Sequence, residues 1–245
     1  MFIGYPRSGH SLVGSLLDAH PSAIIAHELD ALKFVGAGFG RDQLYQLLLD
    51  NSQRFAQKGR EWSGYAYEVP GQWQGRFDAL RVIGDKKGGR STLRLAENPE
   101  LLHRLRKTVA TDIRFVHTVR NPYDNIATMH KHALQHGRNQ GLGATIENYF
   151  SRCAMNAGLK ERLGDGVMLE IHHESFVEDP KSWLRELCGS LGLGYDQYYL
   201  EACAGAVFES PHKSRYDLEW SSATLAAIRA GIERFDFLEG YSFEE

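Results

Sequence analysis

Short apolar runs alternate along this chain with longer stretches in which apolar residues recur every three or four positions. The short runs predict strands at residues 1–3, 23–26, 81–84, 113–119 and 167–171, each ending near polar or charged residues. The periodic stretches predict helices at residues 11–19, 42–58, 98–107, 122–135, 144–163, 180–191 and 222–237. This alternation is typical of an α/β fold, in which a central parallel sheet carries helices on both faces. Ligands of such sheets bind at the carboxyl ends of the strands.

The length and composition are those of one soluble domain. The chain has 245 residues, which suffice for one well-buried core, so we predict a single domain over residues 1–245. A net charge of −3 disfavours a general nucleic-acid-binding protein. The three cysteines show neither a disulfide framework nor zinc-ligand spacing, and no apolar run is long enough to span a membrane. Because the N-terminus also lacks the pattern of a signal peptide, we expect a cytoplasmic protein.

Residues 4–11, GYPRSGHS, have the spacing of a phosphate-binding loop in which His10 replaces the lysine. The loop lies between a predicted strand and a predicted helix, where backbone N–H groups and the helix dipole favour an anion. Arg7 can bind the same phosphate. A histidine is neutral for much of the time near pH 7, so it is a poor substitute for the lysine of nucleoside triphosphatases. The alternative is a tight turn at Gly9 with Ser8 capping the helix.

A second motif follows the predicted strand at residues 113–119. Asn121 is suited to the N-cap of the next helix and Pro122 to its first position, so Arg120 lies at the carboxyl edge of the sheet. Thr128, about two turns into the helix, can face the same pocket and share an anion with Arg120. The alternative is a salt-bridged arginine and a core threonine.

Together these two motifs resemble those of the sulfotransferases that use 3′-phosphoadenosine-5′-phosphosulfate (PAPS). In that family a Y-P-[KR]-S-G-T-T loop binds the 5′-phosphosulfate, and residues 5–11 read YPRSGHS. An R-[ND]-P-x-D motif, with a hydroxyl eight residues after the arginine, binds the 3′-phosphate; residues 120–124 and Thr128 match it. His10 departs from the usual threonine, and Thr128 from the usual serine. The resemblance implies a P-loop NTPase-like sulfotransferase fold, PAPS as donor, adenosine 3′,5′-bisphosphate as product, and donor contacts from Arg7, Ser8, Gly9, His10, Ser11, Arg120 and Thr128.

The arginine form of the loop, followed by LLDAHP at residues 16–21, is most similar to the tyrosylprotein-sulfotransferase branch and its bacterial relatives. In that branch a catalytic glutamate follows the loop arginine by 21 residues, which gives Glu28 here. From chemistry alone, Glu28 and His27 both follow a short apolar strand, where a base can take a proton from an acceptor hydroxyl. The resemblance favours Glu28 as the general base. His27 is the rival base, and a solvated carboxylate is the alternative to both.

The resemblance implies a further catalytic contact from a lysine. In the family a lysine after another strand contacts the oxygen that bridges sulfur and the 5′-phosphate. Lys86 aligns best with it, and Lys87 is close enough to be the alternative. On composition alone, this lysine- and glycine-rich segment is an ordinary surface turn.

Two later segments have counterparts in the family as well. One of the paired histidines after the predicted strand at residues 167–171 takes the place of a family tyrosine that lies near the donor, and we assign this place to His173. The basic residues 211–215 correspond to a late segment that folds over the donor phosphates, which points to Ser214 and Arg215. Both segments also fit structural or surface roles.

The predicted activity is in-line transfer of a sulfuryl group from PAPS to a hydroxyl acceptor. Glu28 takes the proton, while Arg7 and Lys86 stabilise charge on the leaving 5′-phosphate, a form of electrostatic catalysis that needs no metal. The alternatives are a P-loop kinase of nucleosides or small molecules and a non-catalytic nucleotide-binding protein. The acceptor, whether small molecule, sugar or peptide tyrosine, is expected near residues 59–77 and 130–140.

Overall fold

Five parallel strands form the centre of the computed structural model, which describes residues 1–138 and 141–244. In chain order, the strands of the described residues are β1 (Phe2–Ile3), β2 (Ala23–His27), β3 (Glu61–Trp62), β4 (Tyr65–Ala66), β5 (Val82–Lys86), β6 (Phe115–Val119) and β7 (Met168–His172). The five parallel strands are β1, β2, β5, β6 and β7. β2 pairs with β5, and β6 lies between β1 and β7, all in parallel register. Contact between β1 and β5 joins the two groups. The remaining pair, β3 and β4, forms a separate antiparallel hairpin.

Helices connect and cover these strands. They are α1 (His10–Asp18), α2 (Ala31–Gly36), α3 (Arg41–Gln57), α4 (Gly88–Glu97), α5 (Glu100–Val109), α6 (Pro122–Gln135), α7 (Leu142–Leu163), α8 (His173–Glu178), α9 (Pro180–Ser190), α10 (Gln197–Gly205) and α11 (Ser222–Ile232). Two short 3₁₀ turns, Ser214–Asp217 and Asp236–Leu238, flank α11. No helix in the described part of the chain is both long and apolar enough to cross a membrane.

The core lies on both faces of the sheet because successive side chains of a strand point in opposite directions. Phe2 and Val116 pack with α1 and α9 on one face. Their neighbours Ile3 and Phe115 pack with α3, α5 and α7 on the other. The predicted α/β fold with helices on both faces is thus confirmed, while the extent of the domain over residues 1–245 stays a prediction.

The sequence pattern does not predict helices α2, α4, α8 and α10 or the β3–β4 hairpin. The helices α2 and α8 have six residues each, too few to display a helical period. Helix α4 begins with two glycines, which are poor helix formers. The hairpin turns at Ser63 and Gly64, which have φ angles of 53° and 82°, as a type I′ turn requires at both central positions.

A buried carboxylate ties this hairpin to the sheet. Asp18, at the end of α1, accepts hydrogen bonds from the backbone N–H groups of Ile25 and Gly75 and from the Ser52 hydroxyl. The same carboxylate forms an ion pair with Arg60, the residue before β3. Both members of the pair are almost fully buried, so neither can exchange its partner for water.

We expect Asp18→Ala to lower the free energy of unfolding by about 3 to 5 kcal/mol, because it leaves the Arg60 charge buried without a counter-ion. Asp50→Ala is the control, since it removes an exposed i,i+4 partner of Arg54 and should cost about 0.5 kcal/mol or less. Urea titration measures both. The double variant Asp18→Ala/Arg60→Met should lose less than the sum of its single variants, and strict additivity would contradict the pairing.

Candidate active site

The phosphate-binding loop joins β1 to α1 and is shaped by unusual backbone conformations. Gly4, Arg7 and Gly9 have φ angles of 132°, 70° and 92°. A Cβ atom at Gly9 would lie 2.4 Å from Nδ1 of His173, so only glycine fits there. Because α1 begins at His10, directly after this glycine, the first turn of the helix faces the cavity described below.

His10 occupies the loop position of the usual lysine but is not a cation in this structure. Burial lowers the pKa of its imidazole, although Glu28 opposes this shift. Its Nδ1 is 3.1 Å from the Ser8 hydroxyl, and its Nε2 is 3.9 Å from a Glu28 oxygen. The ring packs on Gly88, where a Cβ atom would come within 3.0 Å of it.

The missing loop cation is supplied by Lys86 at the end of β5. Its ammonium group donates to the Ser11 hydroxyl at 2.8 Å and to Glu28 Oε1 at 2.7 Å. Lys86 is only 1% exposed, and a Cβ atom at Gly14 of α1 would lie 2.8 Å from its Cγ. Helix α1 thus needs a glycine where the lysine chain passes. Burial lowers the pKa of Lys86, while Glu28 acts to raise it.

Glu28 follows β2 and lies between two ammonium groups. Lys87 donates to its second oxygen at 2.6 Å, so both predicted lysine candidates contact the carboxylate. Burial acts to raise the pKa of Glu28, but His10, Lys86 and Lys87 together outweigh it and hold the pKa well below its ordinary value. The residue has a φ angle of 61°, in the left-handed region.

His27 lies one residue earlier and does not line the cavity, although its Nε2 is 3.5 Å from the Lys86 ammonium. Its ring stacks on Phe55 with centroids 3.9 Å apart and meets the edge of Trp62. Burial, followed by the nearby Lys86 charge, lowers the pKa of His27 to about 3. The imidazole is therefore neutral at pH 7 and a weak proton acceptor.

The second predicted anion site also assembles. Arg120, after β6, donates to the Thr128 hydroxyl at 3.3 Å, to the Ser214 hydroxyl at 3.3 Å and to the His212 carbonyl at 2.7 Å. Thr128 in turn donates to Ser214 at 3.0 Å. Among the described residues, no carboxylate forms an ion pair with Arg120. A buried guanidinium surrounded by neutral oxygens retains its positive charge for an anion.

Arg215 does not fit the donor contact expected of it. Its guanidinium is 1% exposed and makes a two-pronged ion pair with Asp124, at 3.1 and 2.7 Å. It also donates to the carbonyls of Ser242 and Phe243. These contacts hold the C-terminal segment against α6, and the side chain does not line the cavity. We therefore correct Arg215 to a structural role.

The residues of the two predicted anion sites line or adjoin one cavity of about 1080 Å³ at the carboxyl edge of the sheet. The predicted residues that line it are Arg7, Gly9, His10, Ser11, Glu28, Arg120, Thr128 and His173. Ser8, Lys86 and Ser214 lie behind this surface and contact residues that form it. No group of histidines, cysteines and carboxylates able to hold a metal ion occurs among the described residues.

Several lining residues are not predicted individually from the sequence. The hairpin contributes Trp62 and Tyr65, within the segment 59–77 that we expected near the acceptor. The expected segment 130–140 contributes His132, Ala133 and Arg138, and Met129 directly precedes it. Residues 139 and 140 of this segment lie outside the described part of the chain. Helix α7 contributes Thr145, Asn148 and Arg152. No local sequence motif marks these residues as lining a cavity, because only tertiary packing brings the helix there.

The model of the sulfotransferase family matches residues 1–197. The chain belongs to the sulfotransferase family. The match covers both anion sites except for the segment around Ser214, and it confirms the resemblance to sulfotransferases. Assignment of this sulfotransferase to the tyrosylprotein branch stays a prediction.

Solved sulfotransferase structures share the fold. The sulfotransferase domain of the Synechococcus PCC 7002 olefin synthase is 16% identical, with a TM-score of 0.57 over 95% of this chain and 92% of that one. The sulfotransferase domain from the curacin biosynthetic pathway is 15% identical, with a TM-score of 0.60 over 95% of each chain. The Alicyclobacillus acidocaldarius sulfotransferase is 15% identical, with a TM-score of 0.53 over 97% and 94%. No curated protein matches this sulfotransferase by sequence.

His173 gives the site a measurable dependence on pH. Burial, followed by the nearby Arg120 charge, lowers the pKa of His173 to about 3, and its Nδ1 has no hydrogen-bond partner. In the unfolded chain a histidine takes up its proton near pH 6.5. The unfolded state therefore binds more protons between about pH 6.5 and 3, and the stability present above this window is lost as the pH falls through it.

We expect His173→Gln to reduce the slope of unfolding free energy against pH between about 6 and 4 by up to about 1.4 kcal/mol per pH unit, the value for one proton. Urea titrations at several pH values measure this slope. His103→Gln, which makes the same substitution at an exposed position on α5, is the control. Equal slopes for wild type and His173→Gln would contradict the assignment.

Proposed function

We propose that this sulfotransferase uses PAPS as donor and transfers the sulfuryl group in one in-line step to a hydroxyl acceptor. The observation that carries the proposal is the double contact of Lys86, whose ammonium bonds both the loop hydroxyl of Ser11 and the carboxylate of Glu28. One buried cation thereby links the phosphate-binding loop to Glu28, one of the two carboxylates among the described lining residues; the other is Glu178.

The two anion sites match the two anionic ends of the donor. Arg120, Thr128 and Ser214 are proposed to bind the 3′-phosphate, which would supply the counter-ion that Arg120 lacks. The loop from Ser8 to Ser11 and Arg7 are proposed to bind the 5′-phosphosulfate, with His173 against the loop at Gly9. Arg7 lines the cavity that these sites share.

The same geometry disfavours a kinase. In P-loop kinases and triphosphatases the loop lysine reaches the phosphates and the loop hydroxyl binds Mg²⁺. Here the loop carries neutral His10, and the Ser11 hydroxyl already accepts a hydrogen bond from Lys86. A fixed ammonium at that hydroxyl stabilises an anion directly and repels a divalent cation.

Glu28 is the proposed general base. Its two lysine partners hold its pKa too low for efficient proton transfer while the donor is absent. When the oxygen bridging sulfur and phosphate draws Lys86 away, the carboxylate loses a cation and its pKa rises towards the useful range. His27 is less suited, because its ring is packed between Phe55 and Trp62 and does not line the cavity.

In the proposed transfer one S–O bond forms and another breaks. The acceptor oxygen attacks sulfur while Glu28 takes the hydroxyl proton, and the bond from sulfur to the 5′-phosphate oxygen breaks. Lys86 and Arg7 stabilise the negative charge that develops on that phosphate, so adenosine 3′,5′-bisphosphate leaves as the product. These steps require no metal ion.

We expect adenosine 3′,5′-bisphosphate to stabilise the protein without metal, by about 2.7 kcal/mol at roughly 100 times its dissociation constant. Arg120→Ala should weaken this ligand about 10-fold or more, because a charge-assisted contact is lost. Calorimetric titration measures the affinity. Adenosine 5′-monophosphate is the control ligand, since it lacks the 3′-phosphate and should be affected little.

Two results would count against the donor assignment. A stronger shift with ATP and Mg²⁺ than with the bisphosphate would favour the kinase. Equal losses of both nucleotides in a folded Arg120→Ala variant would remove the 3′-phosphate site, and Thr128→Ala gives a milder second test of the same site.

We expect Glu28→Gln to reduce turnover by about 10²- to 10⁴-fold, because the amide cannot accept the acceptor proton. Affinity for the bisphosphate should change little. His27→Gln is the matched control and should retain most activity. Near-normal turnover in Glu28→Gln, measured as donor-dependent sulfation, would refute Glu28 as the base, and loss confined to His27→Gln would transfer the role to that histidine.

A further inference from the structure

One wall of the cavity carries positive charge that the donor does not use. This wall, formed by α6 and α7, contributes Arg138 and Arg152. The carboxylates among the described lining residues are Glu28 and Glu178 alone, and Glu28 is already bonded to two lysines. Arg120, Arg7 and Lys86 account for both anionic ends of the proposed donor, so the cations of this wall remain for another ligand.

Among the described residues, Arg152 is the one of these two cations whose guanidinium is held by hydrogen bonds to its neighbours. Its Nε donates to the Asn148 side-chain oxygen at 2.9 Å, and its Nη1 donates to the Gly89 carbonyl at 3.0 Å. A Cβ atom at Gly89 would lie 3.2 Å from Nη1 and 3.1 Å from the Pro6 ring, so the glycine makes room for the guanidinium. Two neutral oxygens thus fix its orientation and leave its other N–H groups available.

No carboxylate in the described part of the chain forms an ion pair with Arg152. Burial and the nearby Arg90 charge both lower the pKa of its guanidinium. A guanidinium nevertheless stays protonated in proteins. A half-buried cation in this state binds an oxyanion through charge-assisted hydrogen bonds, often two at once.

Arg152 lines the same cavity as Glu28. Its partner Gly89 lies two residues after Lys87, whose ammonium bonds Glu28. A ligand bound at Arg152 therefore shares the cavity with the carboxylate that is proposed to take the acceptor proton. Trp62, 44% exposed, lines the same cavity and offers a flat surface for a ring.

We propose that the acceptor of this enzyme is itself an anion, a hydroxyl compound with a carboxylate or phosphate-type group, and that Arg152 and Asn148 form the subsite that binds this oxyanion. The inference rests on the proposed sulfotransferase reaction and adds the charge of its second substrate. It accounts for a basic wall that a neutral acceptor would leave without a counter-ion.

The test compares three phenols of similar shape by calorimetric titration into protein saturated with adenosine 3′,5′-bisphosphate. The probes are 4-hydroxyphenylacetate, (4-hydroxybenzyl)phosphonate and the neutral 4-hydroxyphenylacetamide. At least one anionic probe should bind about 10-fold or more tightly than the amide, and the tighter anion identifies the preferred group. In Arg152→Gln this preference should fall to about twofold or less.

Arg90→Gln is the matched control, because it removes the same charge from a neighbouring exposed position outside the cavity lining. It should retain the preference. The inference is overturned if wild type binds the three probes equally or not at all, if Arg90→Gln erases the preference as fully as Arg152→Gln, or if Arg152→Gln weakens the bisphosphate as much as the anionic probe.

Failure of the proposed function gives a different result. If the bisphosphate does not bind, the donor assignment fails, and the same titrations without nucleotide still report on Arg152. A preference for the anions that depends on Arg152 would then support an oxyanion site in a protein of another activity. Its absence would refute the site itself.

Discussion

Lys86 ends β5 and Glu28 directly follows β2, and their ion pair joins these two neighbouring strands at the carboxyl edge of the sheet. The β2–β5 register aligns His27 with Lys86, so Glu28 projects beyond the last paired residue. A lysine with 1% exposure needs a counter-ion, and Glu28 provides it. Without ligands, the Ser11 hydroxyl of the loop, the Lys86 ammonium and the Glu28 carboxylate therefore form one hydrogen-bonded unit, which an arriving anion must rearrange.

The pairing of Glu28 with two lysines has a consequence for the order in which donor and acceptor bind. An acceptor that enters first meets a carboxylate already neutralised by Lys86 and Lys87, and its hydroxyl proton has no strong acceptor. A donor that enters first competes for Lys86 and frees one carboxylate oxygen. Under the proposed reaction, productive binding thus begins with the donor, because the same ammonium serves both the loop and the base.

The sequence predicts those parts of the site that local chemistry determines. The loop at residues 4–11 and the strand–helix boundary at Arg120 are each encoded within a dozen residues, and both form as expected. Arg215 differs, because its pairing with Asp124 depends on how a distant segment packs on α6. Unlike Arg120, Arg215 has no neighbouring sequence motif that tells whether its side chain faces the cavity.

The basic wall of α7 and the second bond of Glu28 could not be predicted for the same reason. Arg152 reads as a polar residue on a long helix until the packing of α7 on α4 brings it to Gly89. Lys87 and Lys86 are adjacent in sequence, and neighbours on a strand normally face opposite sides. Here the strand ends at Lys86, and α4 begins at Gly88, so the chain turns and both ammonium groups reach one carboxylate.

The left-handed backbone at Glu28 shows what this arrangement costs. A side chain with a φ angle of 61° sits in a region that glycine occupies freely and glutamate does not, at an expense of roughly 1 kcal/mol or more. Conformational energy alone would favour glycine at this turn. Selection for stability alone would therefore favour glycine at position 28, and a Glu28→Gly variant would gain a less strained backbone while losing the carboxylate that pairs with Lys86 and Lys87.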